Sequence, residues 1–185
     1  MEGAGVPTWF TYTDPYGYIV SIKGLSLTEI LERKYMPKFR YAKPIEREIA
    51  YTWVARRRIE GVYYFGFELP RELPPEILKL PEPLRRDAVV LSRFKVDCII
   101  DAPGEYIIVE IKDFLKSTAL SQPILYERLF KKYLQPKKPC RKLLVAGQAV
   151  KEAVEAAIEL NIDVDVLDIP VPRKPAEQLI YMKYA

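Results

Sequence analysis

Residues Phe94 to Lys112, FKVDCIIDAPGEYIIVEIK, hold two apolar runs, Phe94–Asp101 and Tyr106–Lys112, around the turn Ala102-Pro103-Gly104-Glu105. Pro-Gly between two β-prone runs is hairpin chemistry. Successive strand side chains alternate faces, so Glu110 and Lys112 share one face while Ile111 turns away, and Asp97 supplies a second carboxylate. Ending the run Tyr-Ile-Ile-Val in charges is costly unless a site uses them. Two carboxylates beside a lysine are a poor structural ion pair. They suit Mg²⁺, a hard cation that takes oxygen ligands and relieves carboxylate repulsion, and hence phosphodiester hydrolysis. The chain supplies its own control: Glu32-Arg33-Lys34, with Asp14 upstream, repeats the pattern in an amphipathic helix, where it reads as a solvated salt bridge.

Downstream, the spacing predicts a helix from about Ser117 to Leu134. Pro123 belongs in a first turn, which starts the helix proper at Ser121 or Gln122. Lys142–Ala146 reads as a strand buried on both faces, Ala149–Leu160 as a helix and Asp163–Leu167 as a strand. Upstream, Asp87–Leu91 is expected to be a strand and Pro70–Pro83, with five prolines, a connector. Val62–Leu69 reads as a strand. Lys43–Ile59 reads as a helix with Pro44 in its first turn, Glu46 and Glu48 at its N-terminus, Arg56 to Arg58 at its end and Gly61 as the stop. The first forty or so residues are aromatic and poorly periodic, apart from a short helix within Leu25–Tyr35 capped by Ser26 or Thr28. The order β-β-α-β-α-β gives an α/β fold with a mixed central sheet flanked by helices. Three parts are expected: an N-terminal helical and aromatic extension at 1–43, a core at 44–169, and a proline-rich tail at 170–185. No internal repeat is present.

Composition narrows the chemistry. The 185 residues are 49% hydrophobic and 29% charged, and no apolar run approaches the roughly 20 residues of a membrane span. The N-terminus lacks the basic start and apolar block of a secretory signal, so an intracellular, cytoplasmic protein without a membrane partner is expected. Cys98 and Cys140 are the only cysteines and there is no histidine. A Cys/His zinc site, a four-cysteine iron–sulfur cluster and a histidine triad are excluded on ligand count; a Cys98–Cys140 disulfide stays open. One asparagine, Asn161, against 16 prolines fits a hot environment. No glycine-rich phosphate loop occurs. Net charge is only +4. Arg128, Lys131, Lys132, Lys137, Lys138, Arg141 and Lys142 nonetheless form a run free of acidic residues, and Arg56 to Arg58 form a second group. Such clusters neutralise nucleic-acid phosphates or form a solvated face.

Val96-Asp97, then twelve residues, then Glu110-Ile111-Lys112, followed by Gln122-Pro-Ile-Leu-Tyr126, resembles the PD-(D/E)xK nuclease superfamily. The Gln-x-x-x-Tyr element resembles that of its RecB-like branch. The likeness runs from about residue 87 to 168, with the helix at 44–59 as an extension of it. It implies a restriction-endonuclease-like core and a Mg²⁺- or Mn²⁺-dependent DNA nuclease of repair, recombination or replication in a thermophilic or viral system. It implies Asp97 and Glu110 as metal ligands, joined by the Ile111 carbonyl and an upstream helical acid, Glu48 or Glu46, although helix-dipole complementation explains both acids equally well. Lys112 would orient water or stabilise developing charge. Gln122 and Tyr126 would face the site, with Tyr126 as an ordinary core aromatic left open. The Arg128–Lys142 cluster would track DNA. Val96 stands where the family's namesake proline stands. The four cysteines and the histidine common in cluster-bearing members are missing, so this would be a version without an iron–sulfur cluster. The rival readings are a catalytically silent nucleic-acid-binding or assembly protein on the same fold, which the intact Asp97, Glu110 and Lys112 disfavour, and an α/β ligand-binding domain, with nucleotides among its candidate ligands. A homo-oligomer is left open.

Overall fold

The computed structural model describes residues 8–34, 36 and 42–170. In chain order its elements are β1 (Trp9–Thr13), β2 (Ile19–Lys23), β3 (Leu25–Ser26), α1 (Leu27–Arg33), α2 (Pro44–Arg57), β4 (Val62–Leu69), α3 (Pro75–Leu78), α4 (Leu84–Ser92), β5 (Phe94–Asp101), β6 (Tyr106–Leu115), a 3₁₀ turn (Ser117–Ala119), α5 (Ser121–Leu134), β7 (Cys140–Ala149), α6 (Lys151–Glu159) and β8 (Asp163–Val166). Local chemistry fixes the helix starts. Ser26 and Glu29 form a capping box at α1, with Glu29 N–H donating to Ser26 Oγ at 3.2 Å and Ser26 N–H to Glu29 Oε2 at 2.8 Å. At α2, Pro44 occupies the first turn and the Lys43 N–H donates to Glu46 at 2.7 Å.

A six-stranded sheet in the order β3-β4-β5-β6-β7-β8 forms the middle layer. β3 to β6 pair antiparallel, while β6, β7 and β8 pair parallel. The sheet is therefore mixed, as expected. One face, carrying Ile107, Val109, Ile111, Leu143 and Val145, packs on Ile30 of α1 and on Ile49 and Trp53 of α2. The other, carrying Ile99 and Ile108, packs on Tyr126 and Phe130 of α5, and Leu144 and Ala146 meet Ala153 and Ala157 of α6. Each fully buried large side chain of this core, Trp53, Phe67 and Phe130 among them, contributes about 1.5–3 kcal/mol of burial free energy.

Several expectations give way. Asp87–Leu91 lies in α4 rather than in a strand: Val89 is its only buried residue, with Arg85 and Ser92 half-buried one turn to either side, a helical stripe that the β-branched pair Val89-Val90 disguises. The helix within Leu25–Tyr35 is confined to Leu27–Arg33, after a two-residue strand; Tyr35 lies outside the described residues. The N-terminal segment is no appendage. Leu25 pairs with Tyr63, Ile30 is fully buried, and β1 pairs antiparallel with β2 in a hairpin not expected from so poorly periodic a segment. Phe10 of that hairpin meets Phe67 and Tyr64 edge-on, Tyr12 Oη donates to the Glu68 carbonyl at 2.6 Å, and buried Asp14 pairs with buried Arg93 at 2.7 Å. The connector at 70–83 carries one short helix, α3. Cys98 and Cys140 are both free thiols, so the disulfide left open does not form. Of the tail expected at 170–185, only Pro170 lies within the described residues. Among the described residues no helix is long and apolar enough to cross a membrane.

Candidate metal centre

The register of β5 against β6 ends at Cys98 opposite Val109. One step further, Asp97 lies opposite Glu110, and there the two strands part. The cause lies on the other side of β5, where Phe65 pairs with Cys98 and Phe67 with Val96, placing Gly66 opposite Asp97. Gly66 has φ 64, a left-handed conformation that glycine adopts without strain. Side-chain alternation slips at this pair: Cys98 points into the core under α2 and Val96 into the core under α5, although regular strand residues two apart share a face. The kink turns the Asp97 carboxylate back across the gap, so the Ile111 N–H donates to Asp97 Oδ2 at 2.8 Å in place of a ladder carbonyl.

Beyond the kink stand Glu110 and Lys112, on the α5 side of β6, with Ile111 in the opposite core as the alternation requires. Glu110 is 2% exposed. Lys112 Nζ donates to Glu110 Oε1 at 2.5 Å, while Glu110 Oε2 is buried with no hydrogen-bond partner. Burial, then the neighbouring Asp97 charge, raise the Glu110 carboxyl to about 8, against the opposing pull of Lys112. Burial likewise raises Asp97, opposed by the Ile111 N–H and Lys112. The two carboxyls thus hold a proton at neutral pH that two isolated acids would release.

The charge of Glu46 raises both carboxyls as well. Glu46 lies on α2 three, four and seven residues before the buried Ile49, Ala50 and Trp53, on the face that packs against the sheet. Glu48 is exposed on another face and is not among the charges acting on the pair. The upstream acid beside the site is therefore Glu46, which also bonds Lys43, itself paired with Asp113 at 2.7 Å. From the other side, Gln122 Nε2 donates to Tyr126 Oη at 3.2 Å, on the first two turns of α5. Tyr126 is buried against Phe94, with ring centroids 6.2 Å apart. Burial chiefly, then Glu110, push its phenol up to about 12. Tyr126 is both a core ring and a neighbour of the carboxylates.

The basic cluster behaves differently from its appearance in sequence. Lys131 and Lys142 both pair with Glu127, Lys132 with Glu72, Lys138 with Asp101, and Arg141 with Glu105 and Asp163. Among the described residues only Arg128 and Lys137 of the seven carry no ion pair. Cys140 stands opposite Tyr106 and Arg141 opposite Ile107, four and three residues before Glu110 along β6, so Cys140 lies about 13 Å and Arg141 about 10 Å from the carboxylates along the strand direction, with Lys137 and Lys138 before the start of β7. In the second basic group, Arg57 pairs with Asp165, which also accepts from Trp53 Nε1 at 2.9 Å, and Arg56 donates to the Leu167 carbonyl at 3.3 Å. These arginines fasten α2 to β8 and its following turn.

Among the described residues no three histidine, cysteine or acidic side chains converge as a metal cage. What exists is a two-carboxylate site. Its fit to a hard divalent ion rests on the orphaned Glu110 Oε2, which lacks any protein donor, and on the mutual repulsion with Asp97 that a cation would relieve. No family model, curated protein or solved structure matches this chain.

Proposed function

We propose that this protein is a divalent-metal-dependent DNA nuclease with a PD-(D/E)xK core of the RecB-like type. The observation that carries the reading is the buried, partnerless Oε2 of Glu110, on a carboxyl that feels the charge of Asp97. A structural ion pair would satisfy both oxygens. Asp97 and Glu110 would hold Mg²⁺ or Mn²⁺, together with the Ile111 carbonyl, which points to the same side of β6 as the N–H bonded to Asp97. Such an ion supplies Lewis acidity and a bound water of lowered pKa. Lys112 places an ammonium beside the carboxylates, where it orients the attacking water and offsets charge developing on the phosphoryl oxygens. The Tyr126 phenol, neutral at physiological pH, and the Gln122 amide donate hydrogen bonds to the strand being cut.

The test is incubation of purified protein with labelled single-stranded, duplex, flap and junction DNA in Mn²⁺, Mg²⁺ or EDTA. Cleavage should require the metal and vanish in Asp97→Asn, Glu110→Gln and Lys112→Ala. Equal cutting by wild type and all three variants would refute the assignment, whereas DNA binding without cleavage would favour a silent nucleic-acid-binding protein.

A further inference from the structure

Between β4 and β5 the chain leaves the sheet at the same end as the carboxylates, through α3 and α4, and returns. Leu69 closes β4 opposite Phe94, which opens β5. Two residues beyond Leu69, the Arg71 guanidinium lies over the Phe94 ring, 5.6 Å from its centroid. The same ring also neighbours Tyr126, centroid to centroid 6.2 Å, so Arg71 and the phenol beside Glu110 share Phe94 as a common contact. The backbone of Arg71 is pinned: its carbonyl accepts from Tyr16 Oη at 2.8 Å, and the Leu73 N–H donates to the same hydroxyl at 2.9 Å.

Arg71 borders an open cleft of about 550 Å³ whose walls include Leu73, Pro74, Ile77, Ala88 and Ser92, within the roughly 300–1,000 Å³ of small-molecule sites. Its charge is one-sided. The cleft's acid, Glu72, is already paired with Lys132, whereas Arg71 makes no ion pair among the described residues. An apolar-walled cleft with one uncompensated guanidinium stacked on an aromatic ring matches a nucleotide, with the base between the walls and the phosphate on the arginine.

We infer that this cleft is a subsite for an unpaired nucleotide of the substrate strand, next to the one being cut, and that the protein prefers single-stranded segments and frayed ends. This rests on the nuclease reading for the location of the cut. A base in a duplex is stacked and paired, and filling the cleft requires that it leave the helix, a cost that paired DNA carries in full and a single strand largely escapes.

Binding in EDTA of fluorescent oligo-dT, of a duplex of the same length and of dTMP alone would be measured for wild type, Arg71→Ala and Ala88→Phe, beside Mn²⁺-dependent cleavage. Arg71 is exposed, so its variant keeps the fold; Ala88→Phe fills the cleft. Wild type should prefer oligo-dT over duplex, and each variant should weaken oligo-dT binding about tenfold while duplex binding stays constant. Loss on single strand and duplex alike would make Arg71 a general phosphate contact and overturn the subsite. No loss from either variant, or no oligo-dT binding by wild type, would overturn it too, and Mn²⁺-dependent cleavage that persists beside either result would leave the nuclease reading standing. Selective loss of oligo-dT binding without any metal-dependent cleavage would keep the subsite and sink the nuclease reading. dTMP binding as tightly as oligo-dT would mark a free-nucleotide site and overturn the assignment to a strand.

Discussion

Replacing Glu110 with glutamine should make the metal-free protein more stable at alkaline pH while abolishing cleavage. The folded Glu110 carboxyl holds its proton to about 8, against an ordinary value of 4.5. Its contribution is therefore fully present below about pH 4.5 and is lost as pH rises towards 8, because the unfolded chain releases the proton first. At 1.36 kcal/mol per unit, this withdraws on the order of 3 kcal/mol between pH 5 and pH 8. The substituted amide cannot ionise, keeps a donor and an acceptor in the same volume, and has no such slope. Acids held low by partners, such as Glu68 beside Lys95 and Arg93, tilt both proteins alike in the opposite sense and cancel in the difference. In EDTA at pH 8, Glu110→Gln should then melt about 6–12 °C above wild type, at roughly 2–4 °C per kcal/mol for a domain of this size. The gap should close near pH 5. Millimolar Mn²⁺ at pH 8 should raise the wild-type midpoint and leave the variant unmoved. Parallel melting-temperature profiles from pH 5 to 8, measured by calorimetry, would refute the account of a buried, repelled carboxylate pair.

Gln122→Ala and Tyr126→Phe should each lower cleavage severalfold or more and move the melting temperature by less than about 2 °C, since neither removes much buried apolar area; silence of both in a cleavage assay would detach the RecB-like element from the site. Arg93→Ala strips the Asp14 carboxylate of its partner in a side-chain environment only 1% exposed, so urea denaturation should show a loss of about 3–5 kcal/mol, and a near-neutral result would mean that the hairpin is not latched there. Charge reversal at Arg128 and Lys137 should flatten the slope of log affinity against log salt by about 0.7–0.9 per lost phosphate contact. Reversal at Lys138 or Arg141, already engaged by Asp101 and by Glu105 and Asp163, should instead lower the melting temperature, and an equal slope change at all four positions would return the DNA path to the whole cluster.

The convergence of Asp97, Glu110 and Lys112 was legible because strand period and a Pro-Gly turn are local signals, and β5 and β6 are neighbours in sequence and in space. Choosing between Glu46 and Glu48 needed the phase of α2 against the sheet. That signal was present in the spacing of Glu46 to Ile49, Ala50 and Trp53, but only packing shows which stripe faces inward. The β1–β2 hairpin also left a trace, Asp14-Pro-Tyr-Gly17: Asp14 Oδ1 accepts from the N–H groups of Tyr16 and Tyr18 at 3.0 and 2.9 Å, and Gly17 takes φ 86. The aromatic crowding of that segment obscured its alternation. The neutralisation of the basic cluster was not legible in any window. Glu72, Asp101 and Asp163 reach Lys132, Lys138 and Arg141 only through the folded topology, so a run without acids in sequence became a paired surface in space. The kink at Gly66 and Asp97 was equally hidden, since it arises from two strands distorting together.

That kink gives Asp97 two obligations that evolution cannot separate. One of its oxygens closes the hydrogen-bond ladder of the sheet through the Ile111 N–H; a substitution that deletes the carboxylate strands a backbone donor, at about 1–3 kcal/mol. Lys112 and Gln122 bond only side chains within the site. Under the proposed nuclease function, a lineage that abandoned cleavage would therefore drift first at Lys112 and Gln122, while position 97 would stay confined to aspartate or asparagine by the sheet alone.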